Sequence, residues 1–145
     1  MTDKNATVTA TGGCLCGSVR YEITGPLRPV VACHCTQCRR QTGHYMAATA
    51  AKREDFRLVR EGDLRWYEAS DIARRGFCAR CGSTLFWAGH GRPYISIAAG
   101  SVDGATGVKT EVHIHVATKG DYYEIEGGVP QVADGDFSGF VKPVG

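Results

Sequence analysis

The chain has 145 residues and a mass of 15.6 kDa, a length that suits one domain with its own core and is too short for two ordinary ones. Apolar residues make up 43% and charged residues 22%, a balance that excludes a disordered or coiled-coil chain. The formal net charge is only +2, and Lys and Arg are dispersed among Asp and Glu, so no nucleic acid is expected as a partner.

The N-terminal residues are polar, and no apolar run approaches the length of a signal sequence or a membrane span. We therefore expect a cytoplasmic protein without a membrane partner. Seven cysteines are an odd number, and a reducing compartment keeps them as thiols. Their close spacing is typical of metal ligands and not of a disulfide framework.

The predicted organisation is a loose tail over 1–11, a zinc-binding domain over 12–130 and an irregular tail over 131–145. Alternating apolar and polar positions predict a first strand over 13–23 and a second over 29–35. A short helical turn is predicted over Thr36–Thr42, ended by Gly43, and a buried strand over 44–51 follows it.

Two further segments, 56–60 and 64–68, flank Glu61-Gly62-Asp63 and are predicted to form a hairpin with a glycine turn. Segments 74–77 and 84–87 are predicted strands on either side of a knuckle at 78–82. Period-two alternation predicts the last strands at 94–98 and 112–116.

The cysteines fall into three groups: Cys14 and Cys16; Cys33, Cys35 and Cys38; and Cys78 and Cys81. Residues i and i+2 of a strand share a face at about 6.5 Å, so each Cys-x-Cys pair can bind one metal ion after a modest bend. By the same geometry Leu15 and His34 point away from that ion, and His34 is not assigned as a ligand.

Spacing alone leaves two divisions of the seven thiols open. In one, Cys14, Cys16, Cys78 and Cys81 close a zinc site and the other three form an open one. In the other, a zinc ribbon takes the thiols of 35, 38, 78 and 81 and leaves those of 14, 16 and 33. A site with three protein ligands keeps a position for water or substrate, whereas a structural site has four ligands.

Three motifs carry a family resemblance. They are Gly12-Gly13-Cys14-x-Cys16-Gly17-x-Val19-x-Tyr21, then Cys33-His34-Cys35-x-x-Cys38-Arg39, then Phe77-Cys78-x-x-Cys81-Gly82-Ser83-x-Leu85-Phe86. Together they resemble the glutathione-dependent formaldehyde-activating enzyme family, which also includes centromere protein V-like proteins. The resemblance covers about residues 12 to 130.

The resemblance implies a mainly β, Mss4-like β-tent of small antiparallel sheets stapled by zinc. It implies a structural zinc on Cys14, Cys16, Cys78 and Cys81, and a catalytic zinc on Cys33, Cys35 and Cys38 whose occupancy can be partial. The implied activity is the carbon–sulfur lyase reaction that joins glutathione and formaldehyde as S-hydroxymethylglutathione. A small thiol such as glutathione is the implied partner.

Nearby cations can offset thiolate charge or bind a substrate carboxylate, and Arg39 and Arg40 are the first candidates for substrate binding. Arg74, Arg75 and Arg80 are further cations of this kind. His113 and His115 are expected to share a strand face, which is either a cavity wall or a polar surface. The sequence assigns no role to His34, His44, His113 or His115, and it does not define the oligomeric state.

Three classes of function fit these features. The first is a zinc-dependent lyase acting on a small thiol adduct, and the second is a non-catalytic zinc module that binds a protein. The third, reductase chemistry, needs a free redox cysteine, and none is left if all seven are ligands.

Overall fold

The computed structural model of the protein describes residues 6–144. Within this range the chain forms ten β-strands and one short α-helix. In chain order they are β1 (Ala10–Gly13), β2 (Arg20–Ile23), β3 (Val30–Cys33), α1 (Thr36–Thr42), β4 (Met46–Lys52), β5 (Phe56–Arg60), β6 (Leu64–Glu68), β7 (Ala73–Cys78), β8 (Thr84–Gly89), β9 (Tyr94–Ala98) and β10 (Thr110–Ile114).

The strands form two sheets. A three-stranded sheet has the order β1-β2-β5, and a seven-stranded sheet has the order β10-β3-β4-β9-β8-β7-β6. Neighbouring strands are antiparallel except for β10, which runs parallel to β3. The predicted mainly β fold of small sheets is confirmed, with that parallel pair as the exception.

The main core lies between the two sheets. Tyr21 of β2 contacts Phe86 of β8 edge-on, with the ring centroids 5.6 Å apart, and Phe56 of β5 packs against the same ring at 5.2 Å. Ile23, Leu85, Ile95 and Ile97 complete this apolar layer. Burial of these side chains packs the small sheet against one face of the large sheet. The opposite face of the large sheet contributes to a cavity.

The predicted first strand is wrong in one respect, because residues 14–19 turn away from the ladder between β1 and β2. The Val19 N–H donates to the Cys14 sulfur at 3.2 Å, and Gly17 has a φ of 81° that permits the turn. The alternation of apolar and polar residues continues through this turn, which hides it from a periodicity argument. The first strand also starts at Ala10, three residues before the predicted start of that strand at residue 13. Residues 1–5 of the predicted loose tail lie outside the described range.

The predicted hairpin is also wrong, although both of its strands are present. β5 pairs with β2 in the small sheet, whereas β6 pairs with β7 in the large sheet. The Glu61-Gly62-Asp63 segment therefore carries the chain from one sheet to the other. Alternation within a strand reports which faces are buried but does not specify the partner strand.

Residues 131–144 have mostly irregular backbone, and they are packed against the fold. Val141 is buried with Val31, Val112 and Ile114 in a second apolar cluster. No helix between residues 6 and 144 is long and apolar enough to cross a membrane.

Candidate metal centres and the adjoining cavity

Four cysteines from two distant turns meet where the two sheets approach each other. Cys14 and Cys16 come from the turn after β1, and Cys78 and Cys81 come from the knuckle between β7 and β8. Their sulfurs all lie within 4.8 Å of one another, and we call them the four-thiol group. The separations are 3.6 Å from Cys14 to Cys16 and 3.8 Å from Cys16 to Cys78.

These separations suit zinc, because two thiolates on one tetrahedral zinc lie roughly 3.8 Å apart. Backbone N–H groups donate to two of the sulfurs, Val19 to Cys14 and Cys81 to Cys78. Hydrogen bonds from Ser83 lower the pKa of Cys81 to about 5. These donors favour the thiolate of Cys81, and the four sulfurs lie close enough to one another to share one cation.

The other three cysteines form a second cluster, the three-thiol group. Cys33 ends β3, Cys35 is the N-cap of α1, and Cys38 lies in the first turn of that helix. Their sulfurs also lie within 4.8 Å of one another. The Cys38 N–H donates to the Cys35 sulfur at 3.2 Å, so the helix start fixes the spacing of these two residues.

The hydrogen bond with Cys33 lowers the pKa of Cys35, whereas hydrogen bonds with Cys35 and Cys38 raise the pKa of Cys33. Without a cation, a thiolate is therefore favoured at Cys35 and disfavoured at Cys33. A bound divalent ion offsets the repulsion between neighbouring thiolates, so the three sulfurs fit a metal ion that prefers sulfur ligands. The sulfurs are therefore grouped as in the first of the two divisions, with four in one group and three in the other. The four cysteines of the alternative zinc ribbon do not come together.

The three-thiol group lies on the wall of a cavity of about 470 Å³ on the outer face of the large sheet. Val31, Ala48, Trp87 and Phe137 give the cavity its apolar surface, while its polar lining includes Arg28, Arg75, Arg92, Ser96 and His115. A concave site of this kind, largely apolar with a few polar groups, is typical of small-molecule binding.

Arg75 is the cation in direct contact with the three-thiol group. Its side chain is only 3% exposed and donates to the Cys38 sulfur at 3.2 Å and to the Gln37 side-chain oxygen at 2.8 Å. Arg74, the preceding residue, instead stacks on Trp66, with its guanidinium carbon 4.1 Å from the ring centroid. Both arginines are candidate cations from the sequence. Only the strand register shows which of the two contacts the three-thiol group.

Arg39 and Arg40, the predicted substrate-binding residues, are not among the described residues that line this cavity. Arg40 is exposed on α1, and the Arg39 Nε is buried without a hydrogen-bond partner among the described residues. Arg28 lines the cavity, although no motif around it in the sequence marks it as functional.

His34 points away from the three-thiol group, as its position between two cysteines predicts. It is 1% exposed, and its Nδ1 contacts the Tyr123 hydroxyl while its Nε2 lies 2.9 Å from His113 Nδ1. Burial lowers the pKa of His34 to about 4, so its ring is neutral at physiological pH. His44, by contrast, is exposed and contacts the Tyr122 hydroxyl at 2.8 Å.

His113 and His115 do not share a face, contrary to the prediction. β10 ends at Ile114, and His115 has a φ of 54°, a left-handed conformation that is uncommon outside glycine. Its ring therefore lines the cavity while His113 contacts His34. Strained backbone of this kind is often found at functional sites.

The fold and the two thiol groups define a small β protein that can hold two metal ions, one of them beside the cavity that Arg75 and His115 line. Residues 9–118 match the glutathione-dependent formaldehyde-activating enzyme family, and the chain belongs to it. An uncharacterized lyase of Schizosaccharomyces pombe is 25% identical over 115 residues, which are 78% of this chain and 82% of that protein. A crystal structure of a Rhodobacter sphaeroides protein matches with a TM-score of 0.56 and 26% identity, over 69% of this chain and 98% of that one.

Proposed function

We propose that the protein is a zinc-dependent carbon–sulfur lyase, with a structural zinc on the four-thiol group and a catalytic zinc on the three-thiol group. The reaction joins a small thiol to a carbonyl compound, as in the formation of S-hydroxymethylglutathione from glutathione and formaldehyde. The observation that carries this proposal is that the cluster with three sulfurs, and not the one with four, lies beside Arg75 and His115 in the large cavity.

Cys33, Cys35 and Cys38 would hold the zinc ion, which would lower the pKa of a substrate thiol bound at its open position. Around that position the chain provides complementary groups. Arg75 donates a charged hydrogen bond to the Cys38 sulfur at 3.2 Å, which favours negative charge on that sulfur. The apolar walls at Trp87 and Phe137 exclude water from the reacting atoms.

His115 is the group proposed to move the proton. Its side chain lines the cavity and has no hydrogen bond to another described residue. It takes the proton of the entering thiol and delivers it to the carbonyl oxygen when the sulfur–carbon bond forms. The atoms balance without a further reactant, because the thiol proton ends on the new hydroxyl group.

The activity is tested by NMR exchange spectroscopy of glutathione and formaldehyde with zinc-loaded protein. We expect faster exchange than in buffer containing the same concentration of free zinc, and a loss of about a hundredfold in His115→Asn. The Arg65→Met variant is the control, because Arg65 is exposed and its described side-chain hydrogen bond is to the neighbouring Leu64 carbonyl.

Exchange no faster than in buffer would contradict the named reaction. The non-catalytic zinc module would then account better for the two thiol groups of this chain. Equal activity in the wild type and His115→Asn would be consistent with the lyase reaction but would contradict a role of His115 in the proton transfer.

A further inference from the structure

The cavity beside the three-thiol group is lined by cations without acidic partners. Arg28, Arg75 and Arg92 contribute to its lining, and no Asp or Glu is among its described lining residues. Arg75 already donates hydrogen bonds to the Cys38 sulfur and to the Gln37 side-chain oxygen. Arg28 has no such role, so its charge needs a different explanation.

Arg28 is buried, with only 4% of its surface exposed, and it takes part in no ion pair among the described residues. Its Nε donates to the Pro29 carbonyl at 3.2 Å and its Nη2 to the Ala48 carbonyl at 2.9 Å. The guanidinium also lies over the Phe137 ring, 5.1 Å from its centroid. Its Nη1 has no acceptor among the described residues.

A buried guanidinium without a neighbouring anion is costly, and arginines of this kind are usually paired. Burial lowers the pKa of Arg28 to about 10, which still leaves it protonated at neutral pH. The packing against carbonyls and an aromatic ring fixes the side chain but does not neutralise it. The remaining charge is therefore available to a ligand in the cavity.

The register places Arg28 within reach of a small ligand that also contacts the three-thiol group. The Ala48 carbonyl that accepts from Arg28 is on β4, two residues from Met46, which pairs with Cys33. Two residues along a strand span about 6.6 Å. Ser96 is a buried residue that lines the same cavity from β9, and its hydroxyl makes no hydrogen bond to another described residue.

We propose that Arg28 and Ser96 form an anion site for the carboxylate of a small thiol-bearing acid. This inference rests on the proposed function, because the thiol end of that ligand is taken to bind at the three-thiol group. Arg28 has one guanidinium nitrogen left and Ser96 has one hydroxyl, and two donors match the two oxygens of a carboxylate.

The first experiment compares matched ligands on the zinc-loaded wild-type protein by isothermal titration calorimetry. The probes are mercaptopropionate, its neutral amide mercaptopropionamide, propionate and propionamide. We expect each acid to bind about tenfold more tightly than its amide, as a charge-assisted hydrogen bond predicts. Equal affinities within both pairs would overturn the anion site.

The second experiment locates the effect. In Arg28→Met the preference of about tenfold for acid over amide should disappear, and Arg28→Lys should recover part of it. Arg65→Met removes an exposed arginine outside the cavity and should keep the full preference. A loss in Arg65→Met as large as that in Arg28→Met would show a general charge effect and contradict the proposal.

A third experiment uses the wild-type protein, so it remains valid even if Arg28→Met folds poorly. The Arg28 Nε–Hε signal, assigned through Arg28→Lys, should shift in the wild-type spectrum on addition of propionate and not on addition of propionamide. Identical responses to both compounds would overturn the site. If mercaptopropionate binds no more tightly than propionate, the thiol-binding part of the proposed function fails, while the anion site is judged by the propionate and propionamide pair alone.

Discussion

At the scale of single residues, the environment of the three-thiol group depends on Arg75. A buried thiolate needs hydrogen-bond donors, and the guanidinium supplies one at 3.2 Å from Cys38 while Gln37 holds it in place at 2.8 Å. Groups that contact metal ligands in this way commonly set both the orientation and the affinity of the site.

Replacing Arg75 with methionine should lower the zinc affinity of the three-thiol group by about tenfold, because Cys38 loses its charged donor. Competition with a chromophoric chelator measures this affinity, and the four-thiol group should keep its metal. Arg74→Met is the matched control, since Arg74 lies on the opposite face against Trp66. Equal losses in the two variants would show that Arg75 acts only through overall charge.

The sequence identifies the seven thiols and the orientation of His34, and it includes Arg75 among several candidate cations, but it does not single out the arginines of the cavity. Arg74 and Arg75 alternate along β7, so one of them must face the cavity. The pairing of Arg75 with Trp87 on β8 determines that Arg75 is the one that faces the cavity. This pairing between strands cannot be inferred from the local sequence of β7. Arg28 precedes β3 without any motif, and its role becomes visible only when Ala48 and Phe137 are beside it.

At the scale of secondary structure, α1 is the element that sets the spacing of the three-thiol group. The helix begins at the Cys35 cap and ends at Gly43, whose N–H donates to the Arg39 carbonyl at 2.9 Å. Gly43 has a φ of 82°, which strains any residue with a Cβ. This helix agrees with its sequence prediction because its cap, length and terminating glycine are all local signals.

Gly43→Ala should therefore destabilise the protein by about 1 kcal/mol, through backbone conformation alone, since no atom lies within 4 Å of the added methyl group. Urea unfolding followed by circular dichroism measures the change. The control is Gly128→Ala, which also has open space around its Cβ but no left-handed φ. A similar cost at both positions would mean that the end of the helix carries no special strain.

The strands show what periodicity can and cannot predict. Period-two alternation correctly places a strand at 94–98, and the segments predicted as strands on both sides of the 78–82 knuckle are strands as well. It fails for the hairpin of β5 and β6 and for the shared face of His113 and His115. Both failures have the same origin, because alternation describes one strand and says nothing of partner choice or of a left-handed residue at its end.

At the scale of the whole molecule, distant segments complete both the core and the sites. The four-thiol group joins the small sheet to the knuckle of the large sheet. The C-terminal segment covers Val112 and Ile114 with Val141 and brings Phe137 to the cavity. Its irregular backbone is predictable from its Asp, Gly and Pro content, whereas its packing is not.

Val141→Ala should destabilise the protein by about 2 kcal/mol, because the side chain is 2% exposed and fills an apolar cluster. Val59→Ala is the matched control, since that valine is 52% exposed on β5, and it should change the free energy of unfolding by less than about 0.5 kcal/mol. Urea denaturation of both variants checks the difference. A neutral Val141→Ala would show that the C-terminal segment adds nothing to the core.

The division of seven thiols into a closed and an open set is tested most directly by zinc content together with folding. Elemental analysis of the purified wild-type protein should find two zinc ions per chain, one for each group. Cys38→Ser should retain one and keep cooperative unfolding, whereas Cys78→Ser should lose the stable fold because it opens the site that joins the sheets. A Cys38→Ser protein that no longer folds, or a Cys78→Ser protein as stable as the wild type, would contradict the division.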